Sequence, residues 1–184
     1  MQMNAIVIHR HGGPEVLSYE PVEVPQPAAG EVLVKVANVS VNVTLDIAVR
    51  EGTYARKPVL PHVLGVDPAG TVAALGEGVR ELAVGNRVFV HGSGTPIGVQ
   101  RWGGYAEYIA APVKAVCRLP DALGFREATV LLRHLPTAHH LVHAMAQVQR
   151  DEWVLVMGAS GGLAACCIQV ARRLGAKVIG AAGS

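Results

Sequence analysis

The chain has 184 residues, of which 51% are hydrophobic and 4% aromatic, and its formal net charge is +2. This composition suits a packed aliphatic core and argues against disorder, and the scattered basic residues form no nucleic-acid-binding patch. No apolar run reaches the ~20 residues that a membrane-spanning helix needs, and the N-terminus does not resemble a signal peptide. The sequence therefore predicts a cytoplasmic protein without nucleic-acid or membrane partners.

Residues 4–120 are typical of a β-rich domain. Short apolar stretches, several of them alternating with polar residues, are separated by glycine-containing turns, which indicates short strands. The predicted strands are Ala5–Ile8, Val16–Tyr19, Glu31–Val36, Ala69–Leu75, Arg87–His91 and Tyr105–Ala110. Strands at this spacing predict a closed or nearly closed barrel.

The pattern becomes helical from Phe125 to about Gln149, where Pro136 predicts either two helices or one kinked helix. A β-α-β unit follows, the opening unit of a dinucleotide-binding sheet. Its parts are a buried strand at Trp153–Met157, a glycine turn at Gly158–Gly162, an amphipathic helix to Leu174 and a second buried strand at Lys177–Ala181. The chain ends after that strand, so we expect the dinucleotide-binding domain to be truncated.

The glycine turn lies between a buried strand and a helix, the context in which such a motif binds phosphate. Glycine permits a tight turn and lets a diphosphate approach the helix N-terminus, where free N–H groups and the helix dipole favour anions. The spacing is not GxGxxG, since Ala164 stands where the last glycine would lie. A tight turn that binds nothing remains an alternative. The candidate cofactor contacts here are Gly158, Ala159, Ser160, Gly161, Gly162 and Leu163.

The end of the second strand bears on the choice of cofactor. In NAD-binding proteins a carboxylate about 20 residues beyond the turn accepts a hydrogen bond from the ribose 2′-hydroxyl. Here the strand ends in Ala181-Ala182-Gly183-Ser184, without an acid. The missing negative charge permits a 2′-phosphate, so the sequence predicts NADPH, and Ser184 completes the set of candidate contacts at this end.

Several motifs together resemble one family, the zinc-free, ζ-crystallin-like quinone oxidoreductases of the medium-chain dehydrogenase/reductase superfamily. They are His11–Leu17, Gly30–Val36, Arg56–Pro61, Gly103–Tyr108 and Gly158–Gly162. The resemblance implies a mixed β and α/β fold, with a GroES-like β-barrel domain over residues 1–122 and the start of an incomplete Rossmann domain over 123–184. It also implies hydride transfer from NADPH to a quinone or α,β-unsaturated carbonyl, and a homodimer when the protein is full length.

The resemblance also bears on metal binding. Zinc-dependent relatives place a cysteine and a histidine where this chain has Val43 and Val66, and hydrocarbon side chains cannot bind a metal. His139 and His143 have the i, i+4 spacing of paired ligands, yet no third ligand has an obvious position. We therefore predict no metal site.

By the same resemblance, Asn42, Asp46 and Tyr54 would line the catalytic cleft, and Thr137 would lie near the nicotinamide. Structural roles remain open for all four: loop caps for Asn42 and Asp46, a half-buried aromatic for Tyr54 and a helix N-cap for Thr137. A second function also remains open, that of a catalytically inactive, truncated paralogue acting as a binding or scaffold protein.

Overall fold

The structure is a computed structural model that describes residues 1–92 and 96–183. The chain forms two compact units, residues 1–129 and 130–184. The boundary between the two units lies inside helix α2 (Phe125–His139), seven residues after the boundary that the sequence predicts. The predicted domain boundary after residue 122 therefore stays a prediction. Among the described residues, no helix is both long and apolar enough to cross a lipid bilayer.

The first unit is built mainly from short strands, as the sequence predicts. Their bounds are β1 (Gln2–Ile8), β2 (Leu17–Glu23), β3 (Glu31–Val39), β4 (His62–Val63), β5 (Pro68–Leu75), β6 (Arg87–Val90), β7 (Tyr108–Pro112) and β8 (Val116–Arg118). Single 3₁₀ turns at Pro14–Val16 and Val113–Ala115 precede β2 and β8. The largest cluster of its core is formed mainly by valines of β3, β5 and β6, such as Val34, Val72 and Val88.

The strands form two antiparallel sheets, one in the order β2-β1-β4 and the other in the order β7-β3-β5-β6-β8. Residues 105–107 join the sheets, because Ile6 N–H donates to the Tyr105 carbonyl (2.8 Å) and Val36 N–H donates to the Glu107 carbonyl (2.9 Å). The strand predicted to begin at Tyr105 therefore begins later, at Tyr108, since the residues before it bridge the two sheets.

Between β3 and β4 the chain forms a helix that the sequence analysis did not predict, α1 (Val43–Arg50). Its β-branched residues, among them Val43, Thr44 and Ile47, have a low helix propensity, which hides it in the sequence. Packing compensates for that propensity, because Val49 lies in a buried cluster with Ile8 and other core residues.

The second unit contains the predicted β-α-β unit at the predicted positions: β9 (Trp153–Met157), α3 (Gly162–Arg173) and β10 (Lys177–Ala181). The two strands pair in parallel, with Leu155 opposite Ile179. Helix α3 packs Cys166, Val170 and Ala171 into a core shared with Ala138 of α2 and with Val142 and Val148.

Helix α2 does not stop at Pro136, which lies inside it. The predicted break is therefore absent at the proline itself. The helix instead widens after His139 into a π-helical turn, His140–Met145, which ends with Ala146 N–H donating to the Leu141 carbonyl at 2.9 Å. The irregularity therefore begins about one turn after the proline.

The sequence predicts β9 and β10 as buried strands, but this is wrong for one face of the two-stranded sheet, which is apolar and open. Val154 and Val178 point toward the core, whereas the alternate residues point away from it. The outward residues Trp153, Leu155, Met157 and Ile179 are 50–70% exposed.

Candidate functional site

The start of α1 brings two predicted site residues together. Asn42 is the N-cap of the helix, and its side-chain oxygen accepts a hydrogen bond from Leu45 N–H at 3.1 Å. In return, the buried Asp46 carboxylate accepts from Asn42 N–H at 2.8 Å through Oδ2. Asn42 and Asp46 therefore have the capping role that the sequence analysis kept as an alternative. The hydrogen bond from Asn42 N–H also fixes the orientation of the Asp46 carboxylate.

The same Asp46 oxygen accepts a second hydrogen bond, from the Tyr105 hydroxyl at 2.6 Å. Burial raises the pKa of Tyr105, and the Asp46 carboxylate raises it further. The hydroxyl consequently stays protonated at neutral pH and donates to the carboxylate.

The backbone around Tyr105 explains how that side chain reaches Asp46. Tyr105 N–H donates to the Leu64 carbonyl at 3.0 Å, which aligns the residue with the segment after β4. Gly65 there has φ +96°, and a Cβ on it would lie 2.6 Å from Cδ1 of the tyrosine ring. Only glycine satisfies both the conformation and the close approach of the ring.

Asp46 and Tyr105 also line a groove of about 400 Å³, which we call the α1 groove. Most of its wall is hydrocarbon. Its lining residues are Ile6, Leu17, Val41, Val43, Asp46, Ile47, Arg50, Leu64 and Tyr105. A groove of this size and composition suits a small apolar molecule. Sequence reasoning missed Tyr105, Arg50 and the aliphatic wall, because the residues that meet here come from distant parts of the chain.

Tyr54 does not line the α1 groove, and Thr137 belongs to the second unit. Tyr54 follows the end of α1 and is half exposed. Thr137 is an exposed residue inside α2. The N-cap alternative for Thr137 is therefore wrong, since the helix begins twelve residues earlier at Phe125.

The glycine turn of the second unit has the geometry of a strand-to-helix connection with an open surface. Gly158 has φ +66°, the left-handed region that favours glycine. Gly161 is the N-cap of α3 in extended backbone, and its N–H donates to the Gly158 carbonyl at 2.9 Å. No side chain in the described part of the chain caps the helix, so the N–H groups of Gly162 and Leu163 point from its first turn without a capping partner.

The turn has open space beside Gly158 and Gly161. A Cβ built on Gly158 meets no atom within 4 Å, and one on Gly161 meets only the Gly158 carbonyl oxygen, at 3.3 Å. The end of β10 lies beside the turn, because Ala159 N–H donates to the Ala181 carbonyl at 2.9 Å. Residues 181–183 carry no acid there, and Ser184 lies outside the described residues.

Three histidines lie on α2 and on the π-helical turn that follows it, and one of them, His134, contacts the glycine turn. The His134 ring covers Gly162, where a Cβ would lie 2.8 Å from Nε2, and burial lowers the pKa of His134. The rings of His139 and His143 have centroids 5.0 Å apart. Within residues 1–92 and 96–183, no three His, Cys, Asp or Glu side chains group as metal ligands would.

The fold and this arrangement agree with comparisons to known proteins. The model of the alcohol dehydrogenase GroES-like domain family matches residues 28–121, just over half of the chain. The chain belongs to this family.

Within this family, the chain is similar to quinone oxidoreductases. A quinone oxidoreductase of Rattus norvegicus is 39% identical over 183 residues, which are 99% of this chain and 53% of that protein. The chain thus spans about half the length of the curated relatives it matches. The Escherichia coli quinone oxidoreductase, solved in complex with NADPH, is 31% identical with a TM-score of 0.84 and matches 98% of this chain and 53% of its own. These matches confirm the resemblance that the sequence motifs predict.

A structure of an NAD-dependent alcohol dehydrogenase is also similar, with 36% identity and a TM-score of 0.88 over 99% of this chain and 58% of that one. The overall fold alone therefore does not select the cofactor.

Proposed function

We propose that the protein is an NADPH-dependent oxidoreductase that transfers hydride to a quinone or an α,β-unsaturated carbonyl compound. The observation that carries the proposal is the glycine turn, whose open face adjoins the uncapped N-terminus of α3. Its support from outside the chain is the similarity to quinone oxidoreductases. We further propose a cytoplasmic location and a homodimeric full-length protein, as expected from the sequence.

The turn residues Gly158–Leu163 would hold the cofactor diphosphate. The N–H groups of Gly162 and Leu163, which no side chain of the described residues caps, would donate to the diphosphate, and the positive end of the helix dipole favours its negative charge. The uncharged end of β10 supports NADPH over NADH, because no carboxylate there would repel a 2′-phosphate. NADPH supplies the hydride when it is bound.

The first unit would supply the surface for the acceptor at the α1 groove. The raised pKa makes Tyr105 a poor proton donor at neutral pH. We therefore assign Asp46 and Tyr105 a positioning role, in which their hydrogen bond fixes the start of α1 and the groove wall. Asn42, Tyr54 and Thr137 remain proposed contacts. The chain would then promote the reaction mainly by orientation and by excluding water.

One observation favours a second candidate function, a binding protein without catalysis. The exposed sheet face of Trp153, Leu155, Met157 and Ile179 offers an apolar surface, and a two-stranded sheet is a weak support for a phosphate site.

The loss of NADPH absorbance in the presence of a quinone separates the two candidates. We expect slow reduction by the 184-residue chain at millimolar NADPH, and its loss in Gly161→Val, whose side chain would fill the open space at the turn. A rate no higher than that of Gly161→Val would contradict the oxidoreductase proposal and favour the binding protein.

A further inference from the structure

The side chain of His134 lies against the first residue of α3. A Cβ built on Gly162 would lie 2.8 Å from Nε2 and 3.0 Å from Cδ2 of the imidazole, so the ring fills the space that a side chain at residue 162 would occupy. Both residues belong to the second unit. The contact places a titratable group at the helix end that no side chain of the described residues caps.

The protein itself does not engage this imidazole. Within residues 1–92 and 96–183, no group forms a hydrogen bond or an ion pair with His134. The side chain is half-buried, so water reaches it only in part. A neutral imidazole has one N–H donor and one nitrogen acceptor, and a protonated one has two donors. His134 therefore keeps its hydrogen-bonding capacity for a group that binds beside α3.

The surroundings of His134 favour its neutral form. Burial lowers its pKa, and the positive charge of the neighbouring Arg133 lowers it further. The segments beside the ring supply no negative charge, because residues 158–165 and 178–183 contain no titratable side chain. The other ionisable groups of α2 within the second unit, and those of its π-helical turn, are basic as well. An anion at the start of α3 would oppose these effects and favour the protonated imidazolium.

We propose that His134 binds the cofactor diphosphate, donating a hydrogen bond from its imidazolium form, and that dinucleotide binding is thereby coupled to the uptake of one proton from solvent. This inference rests on the proposed function, because it adds a residue to the cofactor site of that reaction. None of the motifs that carry the sequence resemblance includes His134. Its assignment comes from its contact with Gly162, whose N–H and that of Leu163 begin α3.

The coupling gives binding a defined pH dependence. A bound diphosphate raises the pKa of His134, because its negative charge stabilises the imidazolium. Affinity should therefore be lowest at alkaline pH and should increase as the pH falls through the range in which His134 takes up its proton. A hydrogen bond from a charged donor is stronger than one from a neutral donor, so we expect full protonation to tighten binding by about tenfold.

The probe for this effect is NAD⁺, because it carries the diphosphate and has no group that titrates between about pH 5 and 8, where histidine changes charge. Binding to the 184-residue chain is followed by the amide resonances of Gly158–Leu163, and the protonation of His134 by the resonance of its ring Hε1 proton. Between about pH 8 and 5.5, Kd should fall by about threefold or more. Addition of NAD⁺ should move the midpoint of the His134 titration to higher pH.

Two variants separate the charge of His134 from its size. His134→Gln keeps a neutral donor, and His134→Phe keeps a ring without nitrogen, so the affinity of both for NAD⁺ should not depend on pH. His140→Gln is the matched control, since His140 is an exposed histidine of the π-helical turn that follows α2. It should keep the pH dependence of the wild-type chain.

Three results would overturn the inference: a wild-type Kd that does not change with pH, a His134 titration that NAD⁺ does not move, or a pH dependence that both His134 variants retain. In each of these cases the amide shifts of the turn would still report dinucleotide binding, and the proposed function would stand. An absence of shifts at the turn with both NAD⁺ and NADP⁺ would instead reject the proposed function and this inference together.

Discussion

The hydrogen bond between Tyr105 and Asp46 should contribute measurably to the stability of the first unit. Tyr105→Phe removes the hydroxyl that donates to Asp46 Oδ2 at 2.6 Å and leaves the carboxylate, which is 8% exposed, with its bond from Asn42 N–H. A hydrogen bond to a charged group contributes about 1.5–3 kcal/mol, and its loss is not repaired by water at a buried site. At about 2–4 °C per kcal/mol for a chain of this size, Tm should fall by about 3–12 °C.

The pH dependence of this effect gives a second readout. The pKa of Tyr105 is raised in the folded protein, so the folded state holds the phenolic proton more strongly than the unfolded chain does. The stabilisation is therefore complete below the ordinary tyrosine pKa of about 10 and is lost as the pH rises above it. The excess of the wild-type free energy of unfolding over that of Tyr105→Phe should therefore decrease progressively as the pH rises from about 10 toward the raised pKa of the folded state.

Urea unfolding at neutral and alkaline pH, followed by circular dichroism, measures both effects. Tyr19→Phe is the control, because Tyr19 is 71% exposed and loses no buried hydrogen bond. We expect this control to change the free energy of unfolding by less than about 0.5 kcal/mol. If Tyr105→Phe is no less stable than Tyr19→Phe, the hydrogen bond does not hold α1 and the positioning role assigned to Asp46 and Tyr105 is wrong.

Three further predictions concern other parts of the chain. Burial lowers the pKa of His62, so the unfolded chain binds more protons below its ordinary pKa of about 6.5, and stability should fall as the pH decreases below that value. His62→Gln should make the free energy of unfolding, measured with urea between neutral and acidic pH, depend less on pH. An unchanged pH dependence would show that His62 is not the group that takes up the proton on unfolding. Gly158→Val should cost about 1–2 kcal/mol because of the left-handed φ of +66°. Gly161→Val, in extended backbone, should preserve stability and lose only the response to NADPH; an equal destabilisation of both variants would contradict the turn geometry. Leu155→Lys should reduce self-association of the chain in sedimentation velocity, because Leu155 lies at the centre of the exposed sheet face; unchanged association would place the contact elsewhere.

The β-α-β unit could be predicted from the sequence because its signals are local. The apolar run at Trp153–Met157, the glycines of the turn and the periodicity of α3 each lie within a few residues of one another. The open space beside Gly161 agrees with a glycine turn at this place. The backbone of Gly161 is extended, however, so its conformation does not require glycine. The spacing of the glycines in the sequence does not reveal which of them need a left-handed φ.

The site in the first unit could be predicted only in part. Asn42 and Asp46 follow from family motifs, whereas the partner of Asp46 is 59 residues away at Tyr105. No local pattern encodes that contact, which depends on residues 105–107 joining two sheets and on the left-handed Gly65. The short α1 was missed for a related reason, since its stability comes from the cap and from packing rather than from propensity.

A titration of the 184-residue chain with NADPH and with NADH, followed by amide NMR, tests the central claim most directly. We predict that NADPH shifts the resonances of Gly158–Leu163 with a Kd of about 1 mM, because a two-stranded sheet supports the turn only weakly. NADH should bind no more tightly, since residues 181–184 carry no side-chain carboxylate that could accept a hydrogen bond from its ribose hydroxyl. A clear preference for NADH, or no response at the turn, would contradict the account.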